Sequence, residues 1–186
     1  MKHIITLSGD IGSGKSSVAA ELKHLTGFDI IGTGKIQRAI AERRGVTTLE
    51  LNKISETDRS IDDEIDNYVI NLGKTADNLI IDSRLAWHFI PGAFKVYLAV
   101  DPMVGAKRVF NDSRSEEHNP TLEATLANNL KRQEIEDQRF FRLYNVHFRN
   151  HDNYDLVIDT SEASPAAIAR NIKDEFDCRF RNPLSA

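Results

Sequence analysis

Residues 9 to 16 read Gly9-Asp10-Ile11-Gly12-Ser13-Gly14-Lys15-Ser16, the complete spacing of a glycine-rich phosphate-binding loop. Such a loop needs a strand before it and a helix after it. Both are legible: Ile4-Ile5-Thr6-Leu7 is a short apolar run, and Val18, Ala19, Leu22 and Leu25 give one apolar helical face. A fortuitous match at these positions would not also bring that context. The glycines let the backbone turn tightly so that several N–H groups point inward at a polyphosphate, and the helix start adds its partial positive charge. The expected nucleotide contacts are Gly9, Asp10, Ile11, Gly12, Ser13, Gly14, Lys15, Ser16 and the adjoining Ser17. Lys15 is assigned to the β- and γ-phosphates, and the Ser16 hydroxyl to Mg²⁺.

The rest of the chain fits one domain of 186 residues with its own core. No apolar run spans a bilayer, and Met1-Lys2-His3 leads straight into strand residues, so a cytoplasmic protein without membrane contact is expected. Cys178 is the single cysteine, which excludes an internal disulfide and reads as a free thiol in a C-terminal helix. The net charge of −4, from 24 basic and 28 acidic residues, gives no basic field for a nucleic-acid polymer. Any polyanion site must gather arginines locally.

Strand-like and helix-like segments alternate, which predicts a parallel sheet covered by helices on both faces. A second strand is expected at Phe28-Asp29-Ile30-Ile31, followed by a helix near Lys35 to Arg44. Ile61, Ile65, Tyr68, Val69 and Leu72 recur at helical spacing behind Ser60, a candidate N-cap. Leu79-Ile80-Ile81-Asp82, the run from Phe94 to Val100, and Leu156-Val157-Ile158-Asp159 complete five strands. Asp101-Pro102, Asn119-Pro120 and Ser164-Pro165 look like cap pairs opening helices, the last of which faces the core through Ile168, Ile172 and Phe176. The expected core is 1–44, 79–111 and 151–180. Residues 45–78 form a helical insertion, and 112–150 a charged excursion. In open parallel sheets ligands bind beyond the carboxyl ends of the strands, where both excursions would emerge.

Asp82 ends an apolar strand, where a carboxylate reaches the magnesium of a bound nucleotide or simply caps a turn. Arg84, two residues on, is a candidate phosphate ligand through its planar fork. Thr33, Gly34 and Arg38 follow the second strand and face the same crevice; Arg43 and Arg44 read as solvated helix charges. Arg132, Glu136 and Arg139 stand at i, i+4 and i+7 on one helix face, beyond a separate stripe of Leu122, Leu126 and Leu130. That trio is either a salt-bridge ladder or part of a polyphosphate clamp, to which Arg108, Arg114 and Arg142 add charge. His147 and His151 lack a third ligand and read as surface residues, and Asn52-Lys53-Ile54-Ser55 lacks the Asp of a guanine-reading box. Trp87, Phe89 and Phe94 are expected in the core or a pocket wall.

From Ile4 to about Phe176 the chain resembles the nucleoside monophosphate kinases, and among them the cytidylate kinase family in its short, archaeal-type form. Gly32-Thr33-Gly34-Lys35-Ile36-Gln37-Arg38 is similar to that family's D-T-G-x-x-Y-R segment, and Asp82-Ser83-Arg84 to its D-G-R. Leu85 and Trp87 continue the short members' pattern, Arg132, Glu136 and Arg139 match the lid arginines and acid, and Tyr154 to Thr160 matches the last strand. Gly32, Gln37 and Ser83 depart from the pattern, all on the acceptor side, and Leu85 stands where the long enzymes carry an Asp.

The resemblance implies a five-stranded P-loop kinase fold in strand order 2-3-1-4-5, with a helical acceptor-binding insertion and a lid. It implies ATP and Mg²⁺ as cofactors and a nucleoside monophosphate, CMP or dCMP first, as phosphoryl acceptor. Lys15, Asp82, Arg132 and Arg139 are the expected catalytic residues, with Ser16 and Asp82 at the metal. Thr33, Gly34, Arg38, Arg84 and Glu136 are expected on the acceptor, and Arg108 among the cofactor-binding residues. Glu136 either orients the arginines or touches the acceptor. The expected partners are small nucleotides, with the chain a monomer or homodimer. A kinase of another small metabolite and a non-catalytic nucleotide-binding module are the alternative readings.

Overall fold

The computed structural model describes residues 2–47, 50, 51, 54, 58–112 and 121–181. Five strands, β1 (Ile4–Gly9), β2 (Asp29–Gly32), β3 (Leu79–Asp82), β4 (Phe94–Ala99) and β5 (Leu156–Asp159), form one sheet. Every neighbouring pair is parallel, as the alternation of elements predicts, and the order is β2-β3-β1-β4-β5, as the resemblance implies. Parallel strands buried on both faces read as unbroken apolar runs, and β1 is buried along its whole length. The helices are α1 (Lys15–Thr26), α2 (Thr33–Arg44), α3 (Ser60–Thr75), α4 (Ala86–Phe89), α5 (Pro102–Phe110), α6 (Leu122–Tyr144) and α7 (Pro165–Arg181).

Two apolar layers sandwich the sheet. On one face Val18, Ala19 and Leu22 of α1 meet Ile168, Ile172 and Phe176 of α7 over Ile5, Leu7 and Val96. On the other, Ile36 and Ile40 of α2 and Ile61 and Val69 of α3 cover Ile4, Leu79 and Ile81. A third cluster of Leu85, Trp87, Tyr97, Phe148 and Tyr154 lies beside β4 and carries the chain from α6 back into β5. Trp87 and Phe94 are core residues, and Phe89 packs at the margin of two clusters.

Local chemistry fixes the helix ends. Asp101 accepts from the N–H groups of Met103 and Val104 ahead of Pro102, and Ser164 Oγ accepts from Ala167 N. Thr121 caps α6, which ends at Asn145 in the left-handed region.

Several expectations are corrected. Ser60 is not a cap but the first residue of α3; Asp58, two residues earlier, accepts its N–H at 2.9 Å. Strand β2 starts at Asp29 and α2 already at Thr33, while β4 stops at Ala99 because the Val100 N–H is claimed by Asp10. The leucine stripe of α6 is not its buried face: Leu130 is 46% exposed, while Thr125 and Asn129 are buried. Thr125 tolerates this because its hydroxyl donates to Thr121 O. Arg43 and Arg44 are not merely solvated, since both pair with Glu64 and tie α2 to α3. Asn119-Pro120, Arg114 and most of the Asn52 to Ser55 stretch lie outside the described residues. Among the described residues no helix is long and apolar enough to cross a membrane.

Candidate active site

The loop after β1 is shaped by contacts too close for side chains. Gly12 has φ 80°, and a Cβ there would meet Gly105 O of α5 at 2.3 Å; a Cβ on Gly105 would meet Ile11 O at 2.6 Å. The loop therefore lies backbone against backbone on α5. Gly105 has no sequence signal of its own, since its requirement comes from a distant turn.

Helix α1 begins behind Gly14 with no side-chain cap, so its first N–H groups are left for a ligand. Gly12, Ser13, Gly14, Lys15, Ser16, Ser17 and Arg108 line a cavity of about 430 Å³ there. Among the described residues the buried Ser13 hydroxyl has no hydrogen-bond partner. Unpartnered donors and a cation around an open cavity are what a polyphosphate would satisfy, so the residues fit one. Arg108 closes the far side, donating to Gly12 O at 3.2 Å and to Thr160 O at 2.7 Å. Gly9, Asp10 and Ile11 do not line this cavity; they form the rising arm of the loop, and the Asp10 carboxylate turns away toward β4.

Lys15 Nζ sits 3.1 Å from both Gly9 O and Asp10 O, folded back along its own loop. Burial first, and then the like charge of Arg84, lower its pKa from 10.5 to about 8. Ser16 Oγ donates to Asp82 Oδ2 at 3.3 Å, which joins the start of α1 to the end of β3. These two hard oxygen ligands fit Mg²⁺, which takes few protein ligands and completes its shell with water and phosphate oxygens. Among the described residues there is no cluster of three His, Cys, Asp or Glu for a softer metal.

Lys15 and Ser16 also line a second cavity, of about 400 Å³, with Thr33, Gly34, Arg38, Asp82, Ser83 and Arg84. Thr33 Oγ1 donates to Asp82 O at 3.3 Å, fixing the start of α2 against β3. Thr33, Ser83 and Arg84 continue into a third, about 190 Å³, walled by α3 and α6. Arg84 is partly buried, and this desolvation lowers its pKa despite Glu136 beside it, with Arg132 lowering it further. Its Nε lies 3.0 Å from Glu136 Oε2, an ion pair not aligned as a hydrogen bond.

The trio on α6 is brought to the site but divides its partners. Arg132 Nε lies 3.3 Å from Glu136 Oε1, whereas Arg139 Nη2 lies 2.6 Å from both carboxylate oxygens of Asp62 on α3. Glu136 thus bridges Arg132 and Arg84, while Arg139 pairs with Asp62. In the third cavity Tyr144 OH donates to Asp66 Oδ2 at 2.6 Å, and burial raises the Asp66 pKa from 3.8 to about 6. Nothing in the sequence marks Asp62, Asp66 and Tyr144: two acids and a tyrosine at these spacings read as ordinary helix-surface residues.

Residues 4–162 match the model of the cytidylate kinase-like family. The chain belongs to that family. It is 35% identical over 170 residues to a cytidylate kinase from Natronomonas pharaonis, covering 89% of this chain and 84% of that one. With a cytidylate kinase from Methanobrevibacter smithii it shares 31% over 169 residues, 91% of this chain and 95% of the other. An S-adenosylmethionine-dependent nucleotide dehydratase from Lacinutrix mariniflava is 36% identical over 177 residues, 95% of this chain but 36% of that protein's length. The chain thus spans about a third of the dehydratase. Among solved structures, shikimate kinase from Acinetobacter baumannii superposes with a TM-score of 0.61 at 18% identity, covering 100% of this chain and 97% of that one. At that identity the likeness is one of fold alone.

Proposed function

We propose that the protein transfers the γ-phosphoryl group of ATP to a nucleoside monophosphate, with CMP or dCMP the preferred acceptor. The observation that carries this reading is the continuity of the three cavities: Lys15 and Ser16 belong to the first and second, Thr33, Ser83 and Arg84 to the second and third. A donor triphosphate on the loop and an acceptor between α3 and α6 would meet in the middle one. Cytidylate kinases among the relatives support cytosine as the base, and a nucleotide dehydratase containing a similar segment supports a nucleotide substrate more broadly.

An acceptor phosphate is already anionic, so no general base is required; two polyanions must be brought into line and their charge neutralised. Lys15 and the N–H groups of the loop would hold the donor phosphates, and Arg108 would close that side. Ser16 and Asp82 would hold Mg²⁺, which would supply positive charge to offset the negative charge of the phosphates. Arg38 and Arg84 would hold the acceptor phosphate. Among the described residues the Arg38 guanidinium makes no hydrogen bond or ion pair, so it is available. Thr33 and Gly34 would frame that phosphate, and Glu136 would keep Arg84 in place. Arg132 and Arg139 would meet the transferring group from the α6 side. Residues 45–78 would then be the acceptor-binding insertion and 112–150 the segment bearing the clamp.

The test is an ATP-consumption panel over CMP, dCMP, UMP, AMP, GMP, dTMP and shikimate at saturating Mg²⁺. The reading predicts turnover with CMP or dCMP well above the rest. Turnover confined to shikimate or to no acceptor would overturn it.

A further inference from the structure

Asp10 introduces a problem that the loop must solve. A carboxylate two residues into a phosphate-binding loop places a negative charge beside the site where a polyphosphate would arrive, and like charges in a partly buried site repel strongly. The structure answers with Arg149, from the turn between α6 and β5. Its Nη1 pairs with Asp10 Oδ1 and lies 3.0 Å from Tyr97 OH, while its Nε lies 3.0 Å from Asp137 Oδ2 on α6. Tyr97 OH itself donates to Asp10 Oδ1 at 2.7 Å, and Val100 N to Oδ2 at 3.2 Å. The Asp10 carboxylate is therefore fully engaged on the β4 side of the loop.

We propose that Arg149 is a positioning residue for the donor site: through Asp10 it neutralises the one acidic side chain of the phosphate-binding loop and anchors that loop to α6. The inference rests on the donor reading above. Both Asp10 and Arg149 are largely buried, with side chains 17% and 24% exposed, so the pair is shielded from the screening that weakens surface ion pairs. The Phe148 ring packs against the guanidinium at 5.3 Å, and Phe148 is itself locked in the aromatic cluster, which fixes where Arg149 can point. Burial works against the charge of Arg149, but Tyr97, Asp137 and Asp10 outweigh it, so its pKa is raised. Asp137 adjoins Glu136, so two successive acids of α6 reach opposite sides of the site. Glu136 meets Arg84 on the acceptor side, and Asp137 meets Arg149 behind the donor loop.

Neutralisation and mere bracing predict different things. If Arg149 offsets the Asp10 charge, Arg149→Met leaves a carboxylate repelling the donor, and ATP affinity falls by about tenfold or more while CMP affinity holds. Adding Asp10→Asn to that variant removes the stranded charge and restores most of the lost ATP affinity. The ATP defect of Arg149→Met also shrinks as ionic strength rises. Isothermal titration with ATP and, separately, with CMP reads all three proteins, and circular dichroism checks that each is folded. If Asp10→Asn fails to rescue, or if Arg149→Met weakens ATP and CMP alike, the inference is overturned. If Arg149→Met binds ATP as the unmodified protein does, it is likewise overturned. Failure of the unmodified protein to bind ATP would instead overturn the donor reading itself.

Discussion

Arg139 Nη2 lies 2.6 Å from both carboxylate oxygens of Asp62, so the α6 arginine that the i, i+4, i+7 spacing groups with Arg132 and Glu136 instead reaches across to α3. The two helices wall the third cavity, proposed to take the acceptor, and this pair joins them. If Arg139 leaves Asp62 to meet the transferring phosphoryl, Arg139→Ala lowers kcat by about 10²-fold, the usual effect of losing a charge that acts in the transition state. Asp62→Asn then stays within about fivefold of the unmodified protein, as for other part-exposed ion pairs. Equal losses in steady-state kcat for the two variants would mean that Arg139 only braces α3 against α6.

Lys15 gives the proposed donor site a pH signature. Its pKa near 8 in the free protein, caused first by burial, rises again when triphosphate oxygens surround it. Below pH 7 the ammonium is already charged and binding takes up almost no proton. Above pH 8 the free lysine is neutral, so binding takes up a proton and ATP affinity falls toward tenfold per pH unit. Calorimetry of ATP binding at pH 7 and pH 9, in buffers of different ionisation enthalpy, reads the uptake directly. Equal uptake at both values would contradict the assignment.

Ser16 and Asp82, 3.3 Å apart, should govern magnesium rather than ATP itself. Asp82→Asn keeps the shape but removes the attraction for a cation, so half-saturating Mg²⁺ for activity rises by about tenfold or more. ATP binding without Mg²⁺ stays as it was. An unchanged magnesium titration would return Asp82 to a strand-end turn residue.

Asp66 carries a cost of its own. With a folded pKa near 6 against an ordinary 3.8, the folded state binds the proton more tightly than the unfolded chain. The stability contribution of this group therefore falls as pH rises through that window, and the full cost is present above about pH 6. Because the carboxyl is only half-buried, solvent screening leaves about 1 kcal/mol, which Asp66→Asn should recover at pH 7.5 and not at pH 4. Denaturant unfolding at the two pH values checks it.

The phosphate-binding loop and the five strands are legible because each rests on local signals, an apolar run, a glycine spacing or a cap before a proline, whereas the strand order follows only from the family resemblance. The site divides along the same line. Lys15, Ser16 and Asp82 lie in or beside such signals and come together as the motif implies. Gly105, Arg149 and the Asp62, Asp66 and Tyr144 group are illegible because the contacts that give them a role are distant in sequence: Asp10 lies 139 residues from Arg149, Asp62 lies 77 from Arg139, and Asp66 lies 78 from Tyr144. A lone arginine in a turn carries no period to read. Arg139 was found by its spacing but given the wrong neighbours, since spacing along one helix says which face a residue occupies and not what stands opposite.

Transfer of a phosphoryl group from a donor on the phosphate loop to a nucleotide in the adjoining cavity is read by incubating γ-labelled ATP and Mg²⁺ with CMP and resolving the products. Label is expected in CDP, not in free phosphate, and in neither with Lys15→Ala. Label released as inorganic phosphate with CMP unchanged would contradict it.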